Sequence, residues 1–137
     1  MANTVPFKLI TPTRVVFEGD AELVIAVGTE GEEGILPHHA PFLTALKPGV
    51  LRANVIENGA GKRLELATGE GFMQALPDRV TVLVDRALAF EDVDIAAARS
   101  DLSAATERQR TAADPAAFAR EQASIDFANA QLRLTGH

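Results

Sequence analysis

Along the first ninety positions, hydrophobic and polar residues alternate in short runs, each closed by a turn former. Phe7-Lys8-Leu9-Ile10 ends at Thr11-Pro12, Arg14 to Phe17 at Glu18-Gly19-Asp20, and Ala21 to Val27 at Gly28. Val50 to Ile56 stops at Glu57-Asn58-Gly59, Lys62 to Thr68 at Gly69, Gly71 to Leu76 at Pro77-Asp78, and Val80 to Val84 ends the series. Short runs rich in β-branched and other apolar residues, bounded by turn formers, mark strands. Asn58-Gly59 between two such runs marks a hairpin, since both residues tolerate a positive φ. Short strands without intervening helical stretches predict an antiparallel sandwich or barrel, because a parallel sheet needs crossover helices.

The pattern changes near residue 90. Positions 1–90 hold 9 of the 10 Gly, 6 of the 7 Pro and 10 of the 11 Val, whereas positions 91–137 hold 13 Ala. Alanine is the strongest helix former, and Val, Gly and Pro belong to strands and turns. Asp92 and Asp94 head a first helix with a thin apolar stripe of Ile95, Ala98, Leu102 and Ala105, and Arg108 and Arg110 stand at its end. Asp114-Pro115 restarts the helix as N-cap and first helical residue. Phe118, Gln122, Ile125, Ala128 and Leu132 then recur on one face. The expected organisation is a β domain over 1–88 and an α-helical hairpin over 89–137. Ile95, Leu102, Phe118, Ile125 and Leu132 are the expected packing residues of that hairpin. Its faces are narrow, so weak packing and an ability to leave its dock are expected.

Composition narrows the function classes. The 137 residues carry 13 Lys+Arg against 19 Asp+Glu, a net charge of −6 that argues against a nucleic-acid binder. Without Cys, thiol nucleophiles, disulfides and thiolate zinc sites are excluded. Without Trp or Tyr, the usual stacking platforms are missing as well. No apolar run approaches the roughly 20 residues of a membrane span, and MANTVPFKLI lacks the pattern of a signal peptide. The chain is expected to stay in its compartment of synthesis and to dock on membrane-bound partners without inserting.

Candidate chemistry is sparse. Glu30, Glu32 and Glu33 alternate with Gly31 and Gly34 ahead of His38-His39. The spacing fits neither a calcium loop nor a helical zinc pair, so it reads as a solvated acidic hairpin turn, and no metal is expected. Gly69-Glu70-Gly71 precedes a strand instead of a helix, which argues for a turn or bulge over a phosphate cradle. His39 has no nucleophile near it in sequence, and nothing assembles into a catalytic site. The segment Glu30 to Leu51 carries three prolines together with Ile35, Leu36, Phe42 and Leu43. It is either a covered sandwich end or a loop that contacts another protein.

These residues resemble the epsilon subunit of F-type ATP synthases. Gly31-Glu32-Glu33-Gly34-Ile35-Leu36-Pro37-His38-His39-Ala40-Pro41-Phe42-Leu43-Thr44 is similar to that family's G-E-x-G-I-x-P-x-H-A-P-x-x-T hallmark, and Leu46-Lys47-Pro48-Gly49 continues it. Thr68 to Gly71, Val80 to Val84 and Ala130-Gln131-Leu132-Arg133 resemble further family blocks in the same order. The resemblance implies a two-layer antiparallel β-sandwich followed by a two-helix hairpin. It also implies a non-catalytic rotor subunit of a proton-translocating synthase, without cofactor, on the cytoplasmic face of the bacterial inner membrane.

By the same resemblance, Glu30, Gly31, Glu32, Glu33 and His39 would meet the ring of c subunits. Pro41, Phe42, Leu43 and Thr44, on a hydrophobic sandwich surface, would meet the gamma subunit. The hairpin would reach the alpha and beta subunits and restrain ATP hydrolysis. Some members bind ATP through I/L-D-x-x-R-A, but here Val93-Asp94-Ile95-Ala96-Ala97-Ala98 has Ala97 in the arginine's place, so no nucleotide site is expected. Arg99 lies two residues on, a rotation of about 200° around the helix. The tail arginines are expected in exposed pairs, such as Arg99 with Asp94 or Asp101. The rival readings are a freestanding sandwich adapter or nucleotide-sensing module, and a small hydrolase built on His39.

Overall fold

A computed structural model describes residues 3–137. Nine strands precede two helices: β1 (Val5–Thr11), β2 (Arg14–Gly28), β3 (Gly31–Ile35), β4 (Phe42–Leu46), β5 (Gly49–Glu57), β6 (Ala60–Thr68), β7 (Gly71–Leu76), β8 (Arg79–Val84) and β9 (Ala87–Ala89). A short 3₁₀ turn, Phe90–Asp92, leads to α1 (Ile95–Arg110) and α2 (Pro115–Leu134).

The strands make two layers that share β2. Its first half pairs with β1, and β8, β7 and β4 continue that layer. Its second half lies between β3 and β5, and β6 and β9 continue the other layer. All pairs are antiparallel except β1 with β8. The opposite corner is pinned where Thr29 N–H donates to Ala45 O and Lys47 N–H to Val27 O, each at 3.1 Å. Inward residues of both layers form one core. Phe7, Leu9, Val24, Ile35, Leu51, Val55, Met73, Val80, Val82 and Val84 are all buried there.

Three strand expectations are corrected. Arg14 to Phe17 and Ala21 to Val27 are one strand, because Gly19 and Asp20 do not turn the chain but carry it from one layer to the other. Asp20 pairs with Pro6 on β1 and with Ile56 on β5. A register shift between Ala21 and Leu23 supplies the extra bend. The segment Glu30 to Leu51 adds two strands to the expected series, β3 and β4, whose Ile35 and Leu46 are buried. A ninth strand also follows the expected last one, Val80 to Val84, and β9 pairs Ala89 with Leu66. The Asn58-Gly59 hairpin is present, with φ of 54° and 78°.

Both helices start where their aspartates cap them. The Asp94 carboxylate accepts from Ala97 N–H at 3.0 Å, and Asp114 from Ala117 N–H at 2.8 Å. Ala98 and Ala105 of α1 are buried against α2, with Ile95 and Leu102 half-buried beside them. In α2, Leu132 and Ala128 are buried and Ile125 half-buried, but Phe118 is 52% exposed at the inter-helix end. The expectation of a single narrow stripe misses a second face. Phe127, Ala130 and Leu134 sit on Val50, Ala67 and Leu88 of the outer surface of β5, β6 and β9. Burying a phenylalanine contributes about 2–3 kcal/mol, so the seat is firmer than the stripe alone suggests.

Candidate functional site

No enclosed catalytic cleft organises the chemistry among the described residues; the molecule offers three surfaces. The first is the β2–β3 turn and the prolines after it. Gly31 has φ of +127°, a conformation that side chains resist, which is why glycine closes this turn. Glu30 is exposed beside it. Glu32 turns back to the sheet, where its Oε2 accepts from Arg52 Nη2 at 2.7 Å. Glu33 is half-buried opposite Ala26. The acidic cluster therefore divides into one free carboxylate at the tip and others along β3.

His39 is half-buried, its ring 5.9 Å from that of Phe42. Its Nδ1 lies 2.6 Å from Ala40 O, and a carbonyl only accepts, so Nδ1 carries the proton. That bond fixes the tautomer and turns the ring along its own loop. No three His, Asp or Glu side chains converge among the described residues. Pro41 is exposed, Phe42 packs inward against the core, Leu43 points outward at 68% exposure, and Thr44 is half-buried. Of those four, Leu43 is the large hydrophobic side chain left exposed.

The second surface is the outer face of the β1–β8–β7–β4 layer. The pairing register sets Val15 beside Ile10, Ile10 beside Leu83, Leu83 beside Phe72 and Phe72 beside Ala45. Leu43 is two residues from Ala45 on the same face. Val15, Leu83 and Phe72 are 48%, 48% and 56% exposed. Apolar side chains therefore cross five strands in one row, beyond the scatter of single exposed hydrophobics on a monomer. Sequence reasoning missed this row, because each strand contributes one outward residue and only the register aligns them.

The third surface is the helical pair. The Arg86 guanidinium stacks 4.0 Å above the Phe127 ring. Arg86, Asp101, Arg108, Ser124 and Gln131 border a crevice of about 230 Å³. Arg108 Nε donates to Glu121 at 3.0 Å, and Arg110 pairs with Glu107. The expected partners of Arg99 are corrected: its Nη2 lies 3.4 Å from His137 Nδ1, and it forms no ion pair with Asp94 or Asp101. The Asp94 carboxylate is engaged as the cap of α1. Ala97 is exposed on the first turn of α1. At Gly69-Glu70, two backbone bonds tie the chain to Asp85-Arg86, with Gly69 N–H donating to Arg86 O and Asp85 N–H to Glu70 O, each at 2.9 Å. The segment is a junction between strands.

Residues 4–90 match the family model of the ATP synthase delta/epsilon chain β-sandwich domain. The ATP synthase epsilon chain of Chromobacterium violaceum is 37% identical over 126 residues, 92% of this chain and 89% of that one. That of Syntrophobacter fumaroxidans is 35% identical over 98% of this chain and 97% of its own. Two solved structures share the fold. A chain of the Euglena gracilis mitochondrial ATP synthase OSCP/F1/c-ring assembly aligns at a TM-score of 0.79 with 19% identity, over 98% of this chain and 82% of that chain. A chain of the Tetrahymena thermophila central stalk and c-ring aligns at 0.61 with 15% identity, over 96% of each. With its hallmark segment on β3 and β4, its sandwich over residues 4–90 and its relatives matched nearly end to end, this chain belongs to the ATP synthase epsilon family.

Proposed function

We propose that the chain works as a non-catalytic central-stalk subunit of a rotary, proton-driven ATP synthase. Its sandwich joins the gamma subunit to the ring of c subunits, and the pair transmits the ring's rotation to catalytic sites on the alpha and beta subunits. The helical hairpin restrains ATP hydrolysis when it reaches those subunits. The protein sits peripherally at the cytoplasmic face of a bacterial inner membrane, consistent with the lack of any described helix long and apolar enough to cross one.

The observation that carries this reading is the apolar row from Val15 through Phe72 to Leu43. A torque-bearing joint needs a broad contact between rigid elements, and five hydrogen-bonded strands supply the rigid half. Gamma is assigned to this face, and the ring to the β2–β3 turn, where Glu30 offers a free carboxylate to polar, basic loops. Charges at a rim steer and register a contact more than they hold it, which suits a turn against a ring of repeated loops.

Co-expression with the gamma subunit tests the reading. The wild-type chain is expected to co-purify with gamma in equal amounts, and Phe72→Glu to abolish this while preserving the circular dichroism of the free chain. Phe72 is exposed, so the substitution leaves the core untouched. Failure of the wild-type chain to retain gamma would favour a freestanding adapter. Retention by Phe72→Glu would move the joint to another face.

A further inference from the structure

We infer that the β2–β3 hairpin and the last turns of α2 hold one another in place through Glu32, so that a cationic surface drawing Glu32 away loosens the helical pair. Two crevices of about 380 and 230 Å³ run along the edge of α2, and Val27, Glu32 and Arg133 line both. Arg52 and Glu65 border the first, and Lys47 and Asp126 the second. Three cations thus face three acids, and Glu32 is the acid common to both crevices.

Glu32 is paired to Arg52 at 2.7 Å, and the Arg52 side chain is only 30% exposed. Arg133 has no close ion pair among the described residues, so its attraction to Glu32 acts across the crevice. Both side chains are exposed, so water in the crevices screens this attraction and keeps its effect small. Without the Glu32 charge, Arg52, Lys47 and Arg133 face only Glu65 and Asp126, and Glu65 is already paired with Arg63. Arg133 precedes Leu134, which packs on the Val50–Ala67 patch, so displacing Arg133 lifts the end of the seat. Because α1 packs on α2, the pair responds together.

The coupling needs no partner to exist. Its consequence for the rotor rests on the reading above, that this turn meets the ring. Ring contact and helix docking would then compete for one carboxylate, and the helices would sense whether the turn is engaged.

Amide hydrogen exchange on the isolated full chain separates the two claims, since no ring is present. Glu32→Gln is expected to quicken exchange of the 127–134 amides about twofold to fivefold, the range for one partly exposed charge pair. Arg133→Gln should act likewise, and the double variant should be no faster than the quicker single one. Amides of β7 and β8 should not change. Unaltered exchange in α2, effects that multiply in the double variant, or a parallel rise in β7 and β8 would each overturn the coupling. Glu32→Asp, which keeps the charge on a shorter arm, should recover part of the protection.

Discussion

The guanidinium of Arg86, in the loop between β8 and β9, lies 4.0 Å above the ring of Phe127 on α2. The loop and the helix therefore share one contact: Phe127 has Ala67 and Val50 beneath it and a cation above. Phe127→Ala removes both and should cost about 3 kcal/mol or more. The cost should fall on the helices, so a hydrogen-exchange map is expected to show α1 and α2 exposed with the sandwich protected. Arg86→Ala removes only the stacked cation, worth about 0.5–1 kcal/mol at an exposed site. Equal effects of the two substitutions would mean that the ring is not the anchor.

The same division predicts what truncation does. The core is complete within the strands, and the hydrogen-bonded sheet closes at Ala89. A chain ending at residue 90 should keep its β-sheet circular dichroism and a cooperative thermal transition, at a lower temperature because Val50, Ala67 and Leu88 become exposed. An unfolded fragment would make the helices part of the core.

Close backbone approach at Gly71 gives a sharper stability test. A Cβ there would run into the Leu83 carbonyl oxygen, which is held in the β7–β8 ladder. At Gly69 the obstacle is the Asp85 carboxylate, the end of a side chain that can rotate away. Gly71→Ala should therefore destabilise by about 3 kcal/mol, the upper part of the range for overpacking, and Gly69→Ala by about 1 kcal/mol. Chemical denaturation of both variants orders them, and the reverse order would show that Asp85 is the more rigid neighbour.

These contrasts show which features the sequence carries openly. Val80, Val82 and Val84 alternate with more exposed residues and go inward as that pattern requires. Asp94 and Asp114 cap helices at the positions their chemistry marks. What stays hidden depends on register or on a second neighbour. Gly19-Asp20 has turn composition, yet it crosses between layers because β1 and β5 pair with it from both sides. Helix α2 has one face toward α1 and another toward the sheet, and a single-stripe reading finds only the first. Glu32 resembles a free acid until Arg52, twenty residues away, is brought to it.

That pairing changes how ring contact should be tested. Reversing Glu32 disturbs the sheet's own ion pair as well as any partner, whereas Glu30 is exposed at the tip of the turn. Glu30→Lys should reduce the protons pumped per ATP hydrolysed in membranes while leaving the melting temperature of the isolated chain unchanged. A rim charge contributes on the order of 1 kcal/mol, so a partial loss is expected. The Glu32→Lys, Glu33→Lys pair should reduce coupling further and also lower the melting temperature. Wild-type pumping in both preparations would place the ring elsewhere.

Nucleotide binding should be weak or absent. A triphosphate needs several cationic donors converging on it, and arginine's planar fork is the usual means. Two arginines do border the crevice between the helices and the β8–β9 loop, but both are engaged: Arg86 lies over Phe127, and Arg108 donates to Glu121. Asp101 on the same wall adds a repelling charge. Ala97 offers no donor from the first turn of α1, and the Asp94 carboxylate is occupied by the helix cap. A phosphate entering there would meet the Asp101 carboxylate and compete with Glu121 for Arg108. Calorimetry of the isolated chain should show no saturable heat at micromolar ATP, and a saturable isotherm there would sink the prediction. Ala97→Arg adds a guanidinium to the first turn of α1, at a position open to solvent. A gain in affinity would align this tail with the nucleotide-binding members of the family. No gain would mean that the first turn of α1 faces away from any nucleotide.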